Sequence, residues 1–129
     1  MNKNLKKVIS MLAVVMVCST TAFAGTTYKK QTIIPPKFGG TATSKTETKS
    51  VTGKDGNLMN PSVGGGYTVS AKLYCGGSAG SSISVKTQTG TLDVPSKSTH
   101  KSGQTSYVAF TNKILTPVDV QVVSQIRTN

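Results

Sequence analysis

The sequence predicts an all-β fold, a small antiparallel β-sandwich or barrel. Three observations predict it. Beyond the first 24 residues the chain is rich in Thr, Ser, Gly, Val and Lys and poor in the Ala, Leu, Glu and Gln that build helices. Apolar and polar residues alternate with period two in several short runs, and glycine, proline and Asp-Gly punctuation falls between the runs. No stretch shows the 3.6-residue period of an amphipathic helix.

Residues 27–34 read as an edge strand stopped by Pro35-Pro36. Residues 40–51 read as a long polar strand, with Lys45, Glu47 and Lys49 on one side and Thr46 and Thr48 on the other. Lys54-Asp55-Gly56-Asn57 has turn chemistry, because Asp-Gly supplies the positive-φ positions of a tight hairpin. The strongest strand is 66–75, where Tyr67, Val69, Ala71, Leu73 and Cys75 alternate with Thr68, Ser70, Lys72 and Tyr74. A glycine and serine loop over 76–81 joins it to 82–89, in which Ile83, Val85 and Thr87 oppose Ser84, Lys86 and Gln88, so the two runs predict a hairpin. After a polar segment, 95–104, a second meander is expected: 105–112, a connection ending at Pro117, and 118–126 with Val118, Val120, Val122 and Ile126 on one face.

The N-terminus has the three parts of an export signal. Lys3, Lys6 and Lys7 precede an apolar run over 8–17, and Ala22-Phe23-Ala24 supplies a small-x-small cleavage site. The run is shorter than the roughly 20 residues of a membrane-spanning helix. Residues 1–24 are therefore expected to be removed, leaving 25–129 as a single β-rich domain that is secreted or held non-covalently on the envelope, with no transmembrane segment. The leader takes away three of the fifteen basic residues and none of the four acids, Glu47, Asp55, Asp93 and Asp119, so the working protein stays strongly cationic. Such a surface attracts polyanions. Outside the cytoplasm the expected partner is an anionic cell-wall polymer or a membrane surface, not nucleic acid. Cys18 falls in the leader, which leaves Cys75 without an intramolecular partner, and its place in an alternating strand predicts a buried, inert thiol.

Catalytic chemistry finds little to stand on. Nucleophilic catalysis needs an activated nucleophile within reach of an oriented base, and the one histidine, His100, lies in a lysine-flanked polar segment where exposure is expected. Asp93 and Asp119 are the sole acid pair to consider for carboxylate chemistry, and turn formation accounts for both. The His, Cys and acid content is too sparse for a zinc or calcium site, and neither Gly64-Gly65-Gly66 nor the 76–80 run opens a helix as a phosphate-binding loop must. No enzyme activity, metal or cofactor is expected. The chain lacks tryptophan, and of its aromatic residues Tyr74 is the one expected to face outward beside a lysine, Lys72.

In its export signal, size and Thr/Gly/Lys-rich β pattern the chain resembles the small secreted proteins of Gram-positive bacteria, some of them bacteriocin-like. No motif carries the resemblance, and no functional residue is transferred from it. The residues themselves point first to a secreted cationic binding or surface-associated protein, with Lys45, Lys49, Lys72, Tyr74 and Lys86 as the candidate binding residues. The alternatives are a bacteriocin-like toxin acting at membranes through the 40–51 strand, and a matrix protein assembling through an edge strand such as 27–34.

Overall fold

The computed structural model describes residues 25–129; the leader expected over 1–24 lies outside the described residues. Ten strands form two antiparallel sheets, neither closed into a barrel. In chain order they are β1 (Lys29–Ile33), β2 (Thr41–Thr43), β3 (Glu47–Thr48), β4 (Gly56–Val63), β5 (Val69–Cys75), β6 (Ser78–Ala79), β7 (Ile83–Val85), β8 (Thr91–Val94), β9 (Thr105–Thr111) and β10 (Val122–Arg127). The first sheet runs β1-β10-β4-β8. The second is centred on β9 and β5: β2 and β3 pair with β9, and β6 and β7 pair with β5.

The alternation read in 66–75 is the alternation of β5. Val69, Ala71, Leu73 and Cys75 are buried, and Lys72 is exposed. On β9, Ser106, Val108 and Phe110 point the same way, and β7 adds Val85. From the first sheet come Ile33, Leu58, Val63, Val94, Val122 and Ile126, so a single apolar cluster draws on both sheets. Burial of these side chains is the dominant driving term, about 1.5–3 kcal/mol for each large one.

The hairpin expected from 66–75 and 82–89 forms, with Val69 opposite Val85 and Ala71 opposite Ile83. The expected edge strand is β1, whose one strand partner is β10. Other expectations are corrected. The 105–112 and 118–126 runs are not neighbours, because β9 and β10 belong to different sheets. The chain between them crosses from one layer to the other, pinned by the Asn112 Nδ2 bond to the Val118 carbonyl (3.0 Å), and Val118 ends up exposed. The 40–51 run is broken into β2 and β3, with Ser44 turned inward so that its hydroxyl accepts from the Val108 amide. Asp55-Gly56 is no tight turn. The turn lies earlier, where Gly53 takes φ +72 and the Lys54 amide reaches the Val51 carbonyl, while Gly56 opens β4.

Strand β4 is not legible in the sequence because Asn60-Pro61 interrupts it. The register moves from Met59 opposite Gln125 to Ser62 opposite Val123, so Asn60 and Pro61 together face Ser124. This is a β-bulge, the setting in which a strand accommodates proline. Asn60 adopts φ +49 and ties the bulge to Gly90, its amide donating to the Gly90 carbonyl and its Oδ1 accepting from the Gly90 amide, both at 2.8 Å. Thr87 continues the edge by exchanging hydrogen bonds with the Val63 amide and carbonyl.

Phe110 is fully buried between the sheets. Phe110→Ala is expected to destabilise the fold by about 3–5 kcal/mol, and Lys86→Ala, at an exposed position, by less than about 0.5 kcal/mol. Chemical denaturation of the two variants against the parent checks the contrast.

Candidate functional site

The outer face of the second sheet carries Lys72 and Tyr74, two of the five residues that sequence reasoning singled out. Because β5 and β9 pair in register, Tyr74 stands directly opposite Tyr107. Their rings stack with centroids 5.2 Å apart and planes 6° from parallel. Cross-strand aromatic pairs of this kind add about 0.5–1.5 kcal/mol beyond burial and hold both rings in fixed rotamers. The neighbours of the pair are small: Ala79 is opposite Tyr74 on β6, and Ala109 lies beyond Tyr107 on β9, opposite Lys72. The remaining outward positions are hydroxyl-bearing, with Ser70 opposite Thr111 and Ser84, and Thr41 bonded side chain to side chain with Thr111 at 2.9 Å.

Lys72 is exposed two residues before Tyr74. Lys45 is exposed in the break between β2 and β3, the strands bordering the one that carries Tyr107. Lys86 is exposed just past β7, and continuing that register places it four residues from Lys72 along β5, about 13 Å at the usual strand rise. Lys49 does not belong to this surface. It is 1% exposed, and its Nζ donates to the Thr128 carbonyl (2.9 Å) and to the Lys54 carbonyl. The alternation that sets Glu47 and Lys49 on one side of the chain is real, but that side faces inward. Tyr107 was missed as the partner of Tyr74 because β5 and β9 are distant in sequence and only their register brings the rings together.

Behind this sheet lies a buried polar layer. The Glu47 carboxylate accepts from the Thr128 amide (3.2 Å) and the Thr128 hydroxyl (3.1 Å), and Ser106 Oγ donates to Thr128 Oγ1 at 2.7 Å. Burial raises the Glu47 pKa above its ordinary value, partly offset by the two Thr128 bonds and by Lys29. Burial likewise lowers that of Lys49, against the attraction of nearby Cys75 and Asp55. The Cys75 thiol, beside Gln104 Oε1 and the Lys101 carbonyl, is pushed up by burial and so held protonated, the opposite of an activated nucleophile.

His100, expected in the open, is fully buried. Its Nδ1 accepts from the Lys97 amide (3.3 Å) and lies 3.0 Å from Ser96 Oγ, while Nε2 lies 3.0 Å from the Ser78 carbonyl. A ring that accepts at Nδ1 and donates at Nε2 is neutral, and burial, with Lys49 and Lys97 nearby, lowers its pKa against the Ser78 bond. His100 thus clamps the 96–100 loop to β6, with both ring nitrogens engaged by partners other than Cys75. Among the described residues no three His, Cys, Asp or Glu side chains gather as a metal site would require. A recess of about 280 Å³ opens at the bulge on the other sheet, lined by Lys30, Met59, Asn60, Ser62, Val123 and Gln125. It is slightly smaller than the roughly 300 Å³ at which small-molecule pockets begin.

No family model matches the chain, and no curated protein or solved structure matches it.

Two outcomes follow from the polar layer. Lys49→Met removes the donor to two carbonyls and is expected to destabilise by about 1–3 kcal/mol, visible as a lowered thermal midpoint. For His100 the folded state disfavours the charged ring, so its contribution is present above the ordinary value of 6.5 and is lost as pH falls below it. Glu47 acts oppositely: the folded state favours its protonated form, so its contribution is present below 4.5 and is lost as pH rises above it. Stability measured from pH 8 to 4 should therefore drop less steeply in acid for His100→Gln than for the parent.

Proposed function

We propose that this is a non-enzymatic, cationic binding protein of the cell exterior whose second sheet holds an anionic envelope polymer along its outer face. The observation that carries the reading is the Tyr74–Tyr107 stack beside Lys72 on a surface otherwise made of small and hydroxyl-bearing side chains. A stacked tyrosine pair offers rigid apolar faces for the C–H side of a sugar or polyol unit. The Ser and Thr hydroxyls of neighbouring rows suit polymer hydroxyls, and Lys72, Lys45 and Lys86 suit phosphate or carboxylate charge.

The charge balance supports the same reading. Of the four acids, Glu47 is buried, and the carboxylates of Asp55, Asp93 and Asp119 accept hydrogen bonds from Ser96, Asn57 and Lys37 respectively. Lys30, Lys37, Lys45, Lys54, Lys72, Lys86, Lys97, Lys101 and Lys113 are all exposed. Each surface contact is weak on its own, and a repeating polymer compensates by engaging several at once. The export signal expected over 1–24 supports the same reading, since such polymers lie outside the cytoplasm. A membrane toxin working through 40–51 is less well supported, since β2 and β3 are short and Glu47 and Lys49 point into the protein.

Binding to purified walls or isolated wall polymer should weaken with added salt, since exposed charges are screened over about 8–10 Å near physiological ionic strength. Tyr107→Ala is expected to weaken binding about fivefold or more at every salt concentration. Lys72→Gln combined with Lys86→Gln should weaken it at low salt and flatten the salt dependence. Binding left unchanged in all three substitutions would overturn the assignment of this face.

A further inference from the structure

Apolar exposure on this molecule is concentrated in one place. Of the six large apolar side chains left exposed among the described residues, five lie in two short segments: Ile34 and Phe38 in one, Ile114, Leu115 and Val118 in the other. Leu115 is 89% exposed, Ile114 76% and Phe38 59%. The segments are laced together. The Phe38 amide donates to the Thr116 carbonyl (2.9 Å), the Gly39 amide to the Lys113 carbonyl (3.2 Å), the Val120 amide to the Pro35 carbonyl (3.2 Å) and the Lys37 amide to Asp119 Oδ1 (2.8 Å). They form one pre-built tip at the end of the fold where β1 and β9 finish.

Nothing in the folding of the chain accounts for the side chains at this tip. Phe38 adopts φ +58, a left-handed conformation that is strained for a bulky residue, while its side chain stays 59% exposed. Strain of this kind persists at functional sites. Three side chains this exposed make a patch on the scale of the largest on an ordinary monomer, roughly 300–600 Å², and such patches are often functional. The tip is also cationic. Lys37 holds its ammonium 5.9 Å from the Phe38 ring centre, Lys113 is exposed beside Ile114, and the one acid at the tip, Asp119, accepts from the Lys37 amide.

From this pairing of apolar tip and basic rim we infer that the 34–38 and 113–118 loops form a membrane-docking site, which seats Phe38, Ile114 and Leu115 in the interfacial zone of a bilayer bearing anionic headgroups. Apolar side chains enter the boundary of headgroups and acyl chains, and the flanking lysines remain at headgroup level. The hydrogen bonds between the loops mean that little ordering is needed on contact. This site is separate from the Tyr74–Tyr107 face and stands on different residues.

The absence of tryptophan allows a direct test. Leu115→Trp places one fluorophore at the tip. Thr99→Trp places one at an exposed position before β9, about 20 Å away across that strand. Each variant of the 25–129 chain, which carries the whole described fold, is titrated with vesicles of phosphatidylcholine alone and with phosphatidylglycerol added. The expected result is a blue shift and quenching by brominated acyl chains for Leu115→Trp on the anionic vesicles, with Thr99→Trp unchanged. In the parent background, Ile114→Ser with Leu115→Ser should lower vesicle cosedimentation about tenfold or more. Phe38→Gly should lower it without lowering the thermal midpoint, since glycine relieves the strained backbone. An unshifted Leu115→Trp on vesicles that carry the protein down would overturn the inference and assign attachment to another segment. A shift that grows with protein concentration without vesicles would overturn it in favour of contact between two copies.

Discussion

Thr128 is where the two sheets are joined by polar contact. Its carbonyl accepts from Lys49, its amide and hydroxyl reach the Glu47 carboxylate, and the same hydroxyl accepts from Ser106 on β9. All four residues are buried. Removing polar groups from water is unfavourable unless each finds a partner, so β3, β9 and the end of β10 must meet in one arrangement for the layer to form. Asn129 extends it, donating through Nδ2 to the Asp55 carbonyl and to Asn57 Oδ1, which also accepts from Arg127. Hydrogen bonds are directional, so this network adds a geometric requirement to the close packing of the apolar core. The network reaches the tyrosine pair through β9, which carries Ser106 on its inner side and Tyr107 on its outer side.

How far the sequence could be read follows from the range of each interaction. Period-two alternation is local, and β5 with its outward Lys72 and Tyr74 was legible from it. So was the hairpin to β7, which needs only a short glycine-rich connection. Strand β4 was hidden because its defining feature is a bulge, and Asn60-Pro61 looks like an interruption unless Ser124 is known to lie opposite. The inward turn of Lys49 and the burial of His100 share a cause. Each depends on a backbone carbonyl from a distant segment, 128 for Lys49 and 78 for His100, and no local pattern announces a carbonyl. A lysine or histidine in a polar stretch reads as solvated until its acceptors are found.

The same logic separates the two surfaces that carry the functional proposals. The tyrosine face is an ordinary consequence of strand pairing, in which two rings stack because register sets them opposite each other. The tip is the reverse, a place where the chain keeps apolar side chains in water and holds one of them in an unfavourable backbone conformation. Electrostatics is common to both. Exposed lysines lie beside the sheet face and at the tip alike, so a surface of opposite sign can be met in more than one orientation.

Strand β1 has β10 as its sole strand partner, and the pair matches Lys29 with Ile126 and Ile33 with Val122. These residues are almost the whole described chain apart in sequence. Strand β1 therefore has no strand edge on which to lie until residues 122–126 are in place, and pairings between positions so far apart in sequence form slowly. The strands of the second sheet, by contrast, all lie between residues 41 and 111. The consequence is an order of assembly: the layer that carries Tyr74 and Tyr107 holds all of its own pairing partners while the other layer still waits for the strand that joins β1 to β4.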